Sequence, residues 1–219
     1  MDASVDANIF IHLYKAKLKE LLFTSFDHLY AFEYILDEEI RNNNQEVYKE
    51  VSEDILAGRL IKIGFADLIE KGIKTLFENE YQENLKLFAY DRGEAYAVAL
   101  STVLGIEALV TDDTKMGGPH ETLLKEYIED VMPFCFYEIL FLKYLKAELT
   151  CEELQGNFEH ISNHFTRPMN FQSKIKSVLR RFNKHYGTER DLVWIQEFCA
   201  ENNVDLREKV VQIADFLRS

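Results

Sequence analysis

Residues 91–113, DRGEAYAVALSTVLGIEALVTDD, read as a helix, a stop, a strand and a pair of acids. Ala95, Val98, Ala99, Thr102 and Val103 recur at helical spacing from Gly93 onward, and Gly105 ends the run. Ala108-Leu109-Val110 follows as a short apolar run, the signature of a strand buried on both faces. Thr111-Asp112-Asp113 closes it. Helices alternating with such strands imply an α/β chain with a mostly parallel sheet covered by helices, whose ligands bind beyond the carboxyl ends of the strands.

The same order opens the chain. Ala3-Ser4-Val5 reads as a strand, Asp6 follows directly, and a helical run then carries Ile9, Phe10, Leu13 and Leu18. A second strand is expected at residues 28–32, a helix through Leu36 and Ile40, and another through Val47, Val51 and Ile55 that Gly58 ends. Leu60-Ile61-Lys62-Ile63 is a further strand, and helical spacing runs from Phe65 to Phe88. Beyond Asp113, Gly117-Gly118-Pro119 forces a loop before a helix around residues 123–128, and residues 131–137 supply the last strand.

After about residue 137 the strand signal disappears. Thr150-Cys151-Glu152-Glu153 is a capping-box pattern, and Arg167-Pro168 and Tyr186-Gly187 mark breaks. Leu192, Ile195 and Phe198, then Leu206, Val210, Ile213 and Leu217, give apolar faces to two final helices. The expected organisation is an α/β domain over residues 1–137 followed by an all-helical extension over 138–219.

Composition narrows the class. At 219 residues, 47% hydrophobic, with 9 Gly and 3 Pro, the chain can bury a substantial core and is expected to be ordered and rich in helix. Its 3 cysteines are widely spaced, which argues against a disulfide framework or a Cys-x-x-Cys zinc site and suits a reducing compartment. The start, MDASVDANIF, lacks a signal-peptide pattern, and no apolar run approaches the ~20 residues of a membrane span, so a soluble cytoplasmic protein with no membrane partner is expected.

A net charge of −13 argues against broad, charge-driven binding of nucleic acid. Basic residues gather locally, however, between Arg167 and Arg190. Lys176, Arg180, Arg181 and Lys184 are the candidate RNA contacts there. The competing reading makes them the wet face of a helix whose other face holds Phe171, Ile175, Val178, Leu179 and Phe182.

The acids carry the chemistry. Asp6, the Glu38-Glu39 pair, Glu94 and Asp112-Asp113 all fall beside predicted strand ends or on helices entering the same edge, so a parallel sheet brings them together. Clustered carboxylates repel unless a cation lies among them, and oxygen ligands without adjacent Cys or His suit Mg²⁺ or Mn²⁺ better than zinc. Such an ion activates water against phosphorus, which makes phosphodiester hydrolysis the natural reaction. Taken singly, each acid also reads as a helix cap or first-turn acid, and Asp91 in particular reads as a cap or a fifth ligand. His160 and His164 offer a weaker metal pair with no third ligand, and His120 lies in the glycine loop.

In order and spacing, VDANIFIHL at 5–13, LDEEI at 36–40, DRGEAYAVAL at 91–100 and LVTDDTK at 109–115 resemble the acidic motifs of PIN-domain nucleases. The resemblance covers the first 137 residues. It implies a PIN-like fold in which Asp6, Glu39, Glu94 and Asp112 or Asp113 bind Mg²⁺ or Mn²⁺ and hydrolyse single-stranded RNA, with Asn8 supporting the first acid. Glu39 is preferred to Glu38 for its helical setting. Two features depart from the family pattern: Tyr96 replaces a small or polar residue, and Gly117-Gly118-Pro119-His120 replaces a basic turn. The implied function is an endoribonuclease of single-stranded or structured RNA, with a toxin role beside an antitoxin protein as one form of it. Homo-oligomerisation is compatible with it. The alternative is a non-catalytic PIN-like scaffold whose helical tail binds a protein partner.

Overall fold

A computed structural model describes residues 1–88, 91–112 and 130–218. Contacts divide the chain into two compact units, Met1–Phe136 and Tyr137–Ser219. The expected loop at Gly117-Gly118-Pro119, the helix around 123–128, Asp113 and His120 lie outside the described residues.

The first unit is an α/β layer structure. Strands β1 (Ala3–Val5), β2 (Leu29–Phe32), β3 (Leu60–Ile63), β4 (Ala108–Val110) and β5 (Met132–Phe134) form one five-stranded, all-parallel sheet in the order β3-β2-β1-β4-β5. Around it run α1 (Ala7–Lys15), α2 (Glu20–Phe23), a π-helical turn (Ile35–Ile40), α3 (Arg41–Asn43), α4 (Gln45–Leu56), α5 (Phe65–Glu70), α6 (Lys74–Leu87) and α7 (Arg92–Leu104). Strands β1 and β4 are short and wholly apolar except for Ser4 because both faces are buried. Among the described residues no helix is long and apolar enough to cross a membrane.

Helix α7 positions much of the carboxyl edge. Its residues Gly93–Ser101 are all buried, and the fully buried Ser4 of β1 donates its hydroxyl to the Ala97 carbonyl at 2.9 Å. Gly105, in the left-handed conformation at φ 65°, ends the helix without the steric cost a Cβ would bring. Because β4 begins directly after this stop, the first turn of α7 lies at the opposite, carboxyl edge of the sheet.

Three boundaries differ from the sequence reading. Helix α1 stops at Lys15, short of Leu18, as the chain turns through Lys17 at φ 55°. The segment through Leu36 and Ile40 is a π-helical turn rather than an α-helix. The last strand ends at Phe134, because the Phe136 N–H donates to Asp112 Oδ1 at 2.9 Å and the next helix has begun; Tyr137 is helical.

At the amino edge the buried Asp54 gathers three donors: the Tyr14 hydroxyl and Lys19 ammonium at 2.7 Å and the Arg59 guanidinium at 3.2 Å. Burial first, and then the bond to Asp54, raise the Tyr14 pKa.

Helices make up the regular structure of the second unit. α8 runs Phe136–Leu145, crossing into it from the first, and α9 (Cys151–Ser162), α10 (Phe171–Arg181), α11 (Glu189–Glu201) and α12 (Leu206–Phe216) follow. The expected capping box forms at α9, with the Glu153 N–H donating to the Thr150 hydroxyl at 3.2 Å and the Thr150 N–H to the Glu153 carboxylate at 2.8 Å. Arg181 is the pin of this unit. Its side chain is 4% exposed and binds Glu138 of α8 at 2.8 Å and Asp191 of α11 at 2.9 Å. Burial opposes its charge, but Glu138 and Asp191 outweigh that and hold the guanidinium pKa above its ordinary value.

Replacing Arg181 with Gln removes the buried cation that Glu138 and Asp191 share, while Asp191 keeps its pair with Arg190 at 3.1 Å. We expect a loss of about 3–5 kcal/mol in urea unfolding; a loss under about 1 kcal/mol would show that the triad does not hold these helices.

Candidate functional site

Strand order reverses between β1 and β4, and in open parallel sheets ligands bind in the crevice beyond the carboxyl ends at that point. Asp6 leaves β1 there, its N–H donating to the Val110 carbonyl of β4 at 3.0 Å. The Asp6 side chain caps α1 and accepts the Asn8 side-chain amide at 3.3 Å and the Thr111 hydroxyl at 3.3 Å. The residue is 4% exposed. Asp6 is thus the cap of α1 and also stands at the carboxyl end of β1. Asn8 touches it as anticipated.

Asp112 follows β4 on the other side of the reversal. One oxygen accepts the Phe136 N–H, and the other lies 3.3 Å from His12 Nδ1. The Asp112 side chain is fully buried, whereas the His12 side chain is 13% exposed. His12 was not singled out from the sequence, although it lies on the helix that Asp6 starts.

Glu94 sits in the first turn of α7, 2% exposed. Asp91 caps that helix, accepting the Glu94 N–H at 3.2 Å, which is one of the two roles its position suggested. Gly93 explains how Glu39 comes near. An ideal Cβ on Gly93 would overlap the Glu39 carboxylate, so the acid from the π-helical turn lies directly against the backbone beside Glu94. Glu38 is exposed and accepts the Asn42 amide at 3.2 Å. Single π-helical turns recur at functional sites.

Glu33, after β2, is another acid at this edge that the sequence reading passed over. It accepts the Phe65 N–H at 3.0 Å and so serves the start of α5.

Carboxylate oxygens at a sheet edge suit a hard divalent cation, and burying Asp6, Glu94 and Asp112 at one edge is a cost that a bound cation would offset. The donor types fit Mg²⁺ or Mn²⁺. Among the described residues no three Asp, Glu, His or Cys side chains stand together in a metal-holding group, and Asp113 falls outside them. A cleft of about 240 Å³ bordered by Glu20, Phe23 and Arg59 lies near the start of β2 and β3, at the edge away from these acids.

In the helical unit, Lys176 and Arg180 are exposed one turn apart on α10, and Lys184 is exposed in the turn after it. Arg181 corrects the expectation. It is buried between Glu138 and Asp191 and cannot reach RNA from there. His160 and His164 are exposed with ring centroids 5.8 Å apart.

No protein-family model, curated protein or solved structure matches the chain.

The contact at Gly93 is open to a direct test. In Gly93→Ala the methyl must displace the flexible Glu39 side chain, while helix propensity favours alanine by up to about 1 kcal/mol. We expect a melting temperature equal to or above wild type together with weaker Mn²⁺ binding in calorimetric titration. Unchanged Mn²⁺ affinity would remove Glu39 from the site.

Proposed function

We propose that the chain is a PIN-like, Mg²⁺- or Mn²⁺-dependent endoribonuclease that hydrolyses phosphodiester bonds of single-stranded RNA. The observation that carries this reading is the placing of Asp6 and Asp112 on either side of the strand-order reversal, with Glu39 brought against Gly93 beside Glu94 at the same edge. Asp6, Glu39, Glu94 and Asp112, with Asp113, would hold the metal. When bound, the metal supplies an acidified water and stabilises the departing oxygen.

The chain's own residues prepare that site. The Thr111 hydroxyl and Asn8 amide orient the Asp6 carboxylate, and the Phe136 N–H and His12 orient that of Asp112. Lys176, Arg180 and Lys184 would neutralise RNA phosphates from the helical unit. A toxin role beside an antitoxin partner is one setting for such an activity.

A second reading makes the fold a non-catalytic scaffold. It draws on Asp112, both of whose oxygens already meet protein groups, as a purely structural acid would.

Labelled single-stranded RNA incubated with Mn²⁺, and then with EDTA, separates the two readings. Asp6→Asn and Glu94→Gln should each abolish cleavage with the fold intact by circular dichroism, since an amide keeps the size of the side chain but weakens hard-cation binding. Cleavage at the wild-type rate by either folded variant would sink the acid site. In the helical unit, replacing Lys176 and Arg180 with Gln should weaken RNA binding and flatten its salt dependence by about 0.7 per lost contact. Saturating RNA should then restore most of the rate; an unchanged salt slope would leave α10 a solvated face.

A further inference from the structure

A cluster of aromatic rings beside the acids ends in a cation. Tyr96 of α7 lies parallel to Tyr81 of α6 at 4.0 Å between centroids, and 4.8 Å from both Phe32 and Tyr34. Tyr81 and Tyr96 are buried, Tyr34 is half-exposed and Arg92 is exposed. The Arg92 guanidinium stands 5.1 Å over the Tyr34 ring, and its Nε–H donates to the Tyr81 hydroxyl at 3.3 Å. Burial, and then the bond to Tyr81, push the Tyr96 pKa up to about 12.

What Arg92 does not do is as telling. Asp91 precedes it, and Glu39 packs against Gly93 immediately after it, yet Arg92 forms no ion pair with a carboxylate among the described residues. A long, flexible surface arginine in such company ordinarily swings to the nearest acid. Arg92 is instead fixed on two tyrosines, through one ring face and one N–H. It is also the first residue of α7, where the helix dipole disfavours a cation. A lid over the aromatic core would need only its aliphatic stem. The terminal amino groups remain, in a planar fork that matches the oxygens of a phosphate.

We propose that Arg92, fixed by Tyr34 and Tyr81, binds a backbone phosphate of the single-stranded RNA that reaches the acid edge. This rests on the reading of that edge as an RNA-cutting site. Tyr96, which departs from the family pattern, then belongs to the platform under the cation. The acids repel the strand, and a fixed guanidinium next to them offsets that repulsion.

The test is binding of a fluorescent single-stranded RNA ten nucleotides long to the full chain in EDTA, where nothing is cut, across a series of salt concentrations. Arg92→Gln should weaken binding roughly tenfold and flatten the salt slope by about 0.7, and Arg92→Lys should keep the slope but lose affinity. Equal affinity and slope in wild type and Arg92→Gln would overturn the proposal, as would absence of RNA binding by wild type. A melting temperature for Arg92→Gln many degrees below wild type would overturn it too, assigning Arg92 to holding the rings. Inorganic phosphate at matched ionic strength gives a further arm: Arg92-dependent binding of phosphate alone, with RNA affinity unchanged, also rejects the RNA assignment. The nuclease reading fails separately. Arg92-dependent binding without cleavage in Mn²⁺ keeps the phosphate site and discards the nuclease.

Discussion

Ser4 is the one polar side chain in the central strand, and its hydroxyl is spent on the Ala97 carbonyl of α7. That bond sets how closely the helix approaches the sheet, and the approach is possible because glycine and alanines recur along α7. The consequence is felt one turn earlier. Glu94 is carried to the carboxyl edge at a fixed height above β1, and the bare backbone at Gly93 leaves room for Glu39 to join it. A bulkier α7 would lift away from β1 and break both arrangements together.

Buried charge is handled differently in different parts of the molecule. Asp54 meets Lys19 and Arg59, and Glu138 and Asp191 meet Arg181, so these acids are matched by full positive charges. Such pairs give the buried carboxylates both their hydrogen bonds and their neutralisation. At the carboxyl edge, Asp6 accepts from a hydroxyl and an amide, and Asp112 accepts from a backbone N–H and lies 3.3 Å from His12 Nδ1. Neutral donors orient a carboxylate without cancelling its charge.

Much of this was legible in the sequence because parallel strands buried on both faces leave simple traces. Ala108-Leu109-Val110 between Gly105 and Asp112 could be little else, and Ala3-Ser4-Val5 before Asp6 repeated the pattern. The π-helical turn was not legible, since its apolar residues Ile35, Leu36 and Ile40 satisfy an ordinary helical period as well. Arg181 shows the deeper limit. It adjoins Arg180 in sequence but lies about 100° from it around the helix, on the side of the buried Val178, and only the folded chain brings Glu138 and Asp191 to it. His12 stayed hidden for the same reason, because its partner Asp112 is distant in sequence.

Pro133 sits in the middle of β5, paired with Leu109. Its neighbours turn their hydrogen bonds inward to β4: the Met132 N–H donates to the Glu107 carbonyl, and the Phe134 carbonyl accepts from Thr111. The position of Pro133 therefore faces away from β4, where the missing N–H costs the sheet nothing. At the other end of the sheet, β3 carries Lys62, ion-paired to Asp37. A sheet bordered by a proline on one side and a charged side chain on the other gives an incoming strand a poor template at either border. Strand-by-strand polymerisation is thus discouraged at both borders, which favours association of this unit through side chains over extension of the sheet.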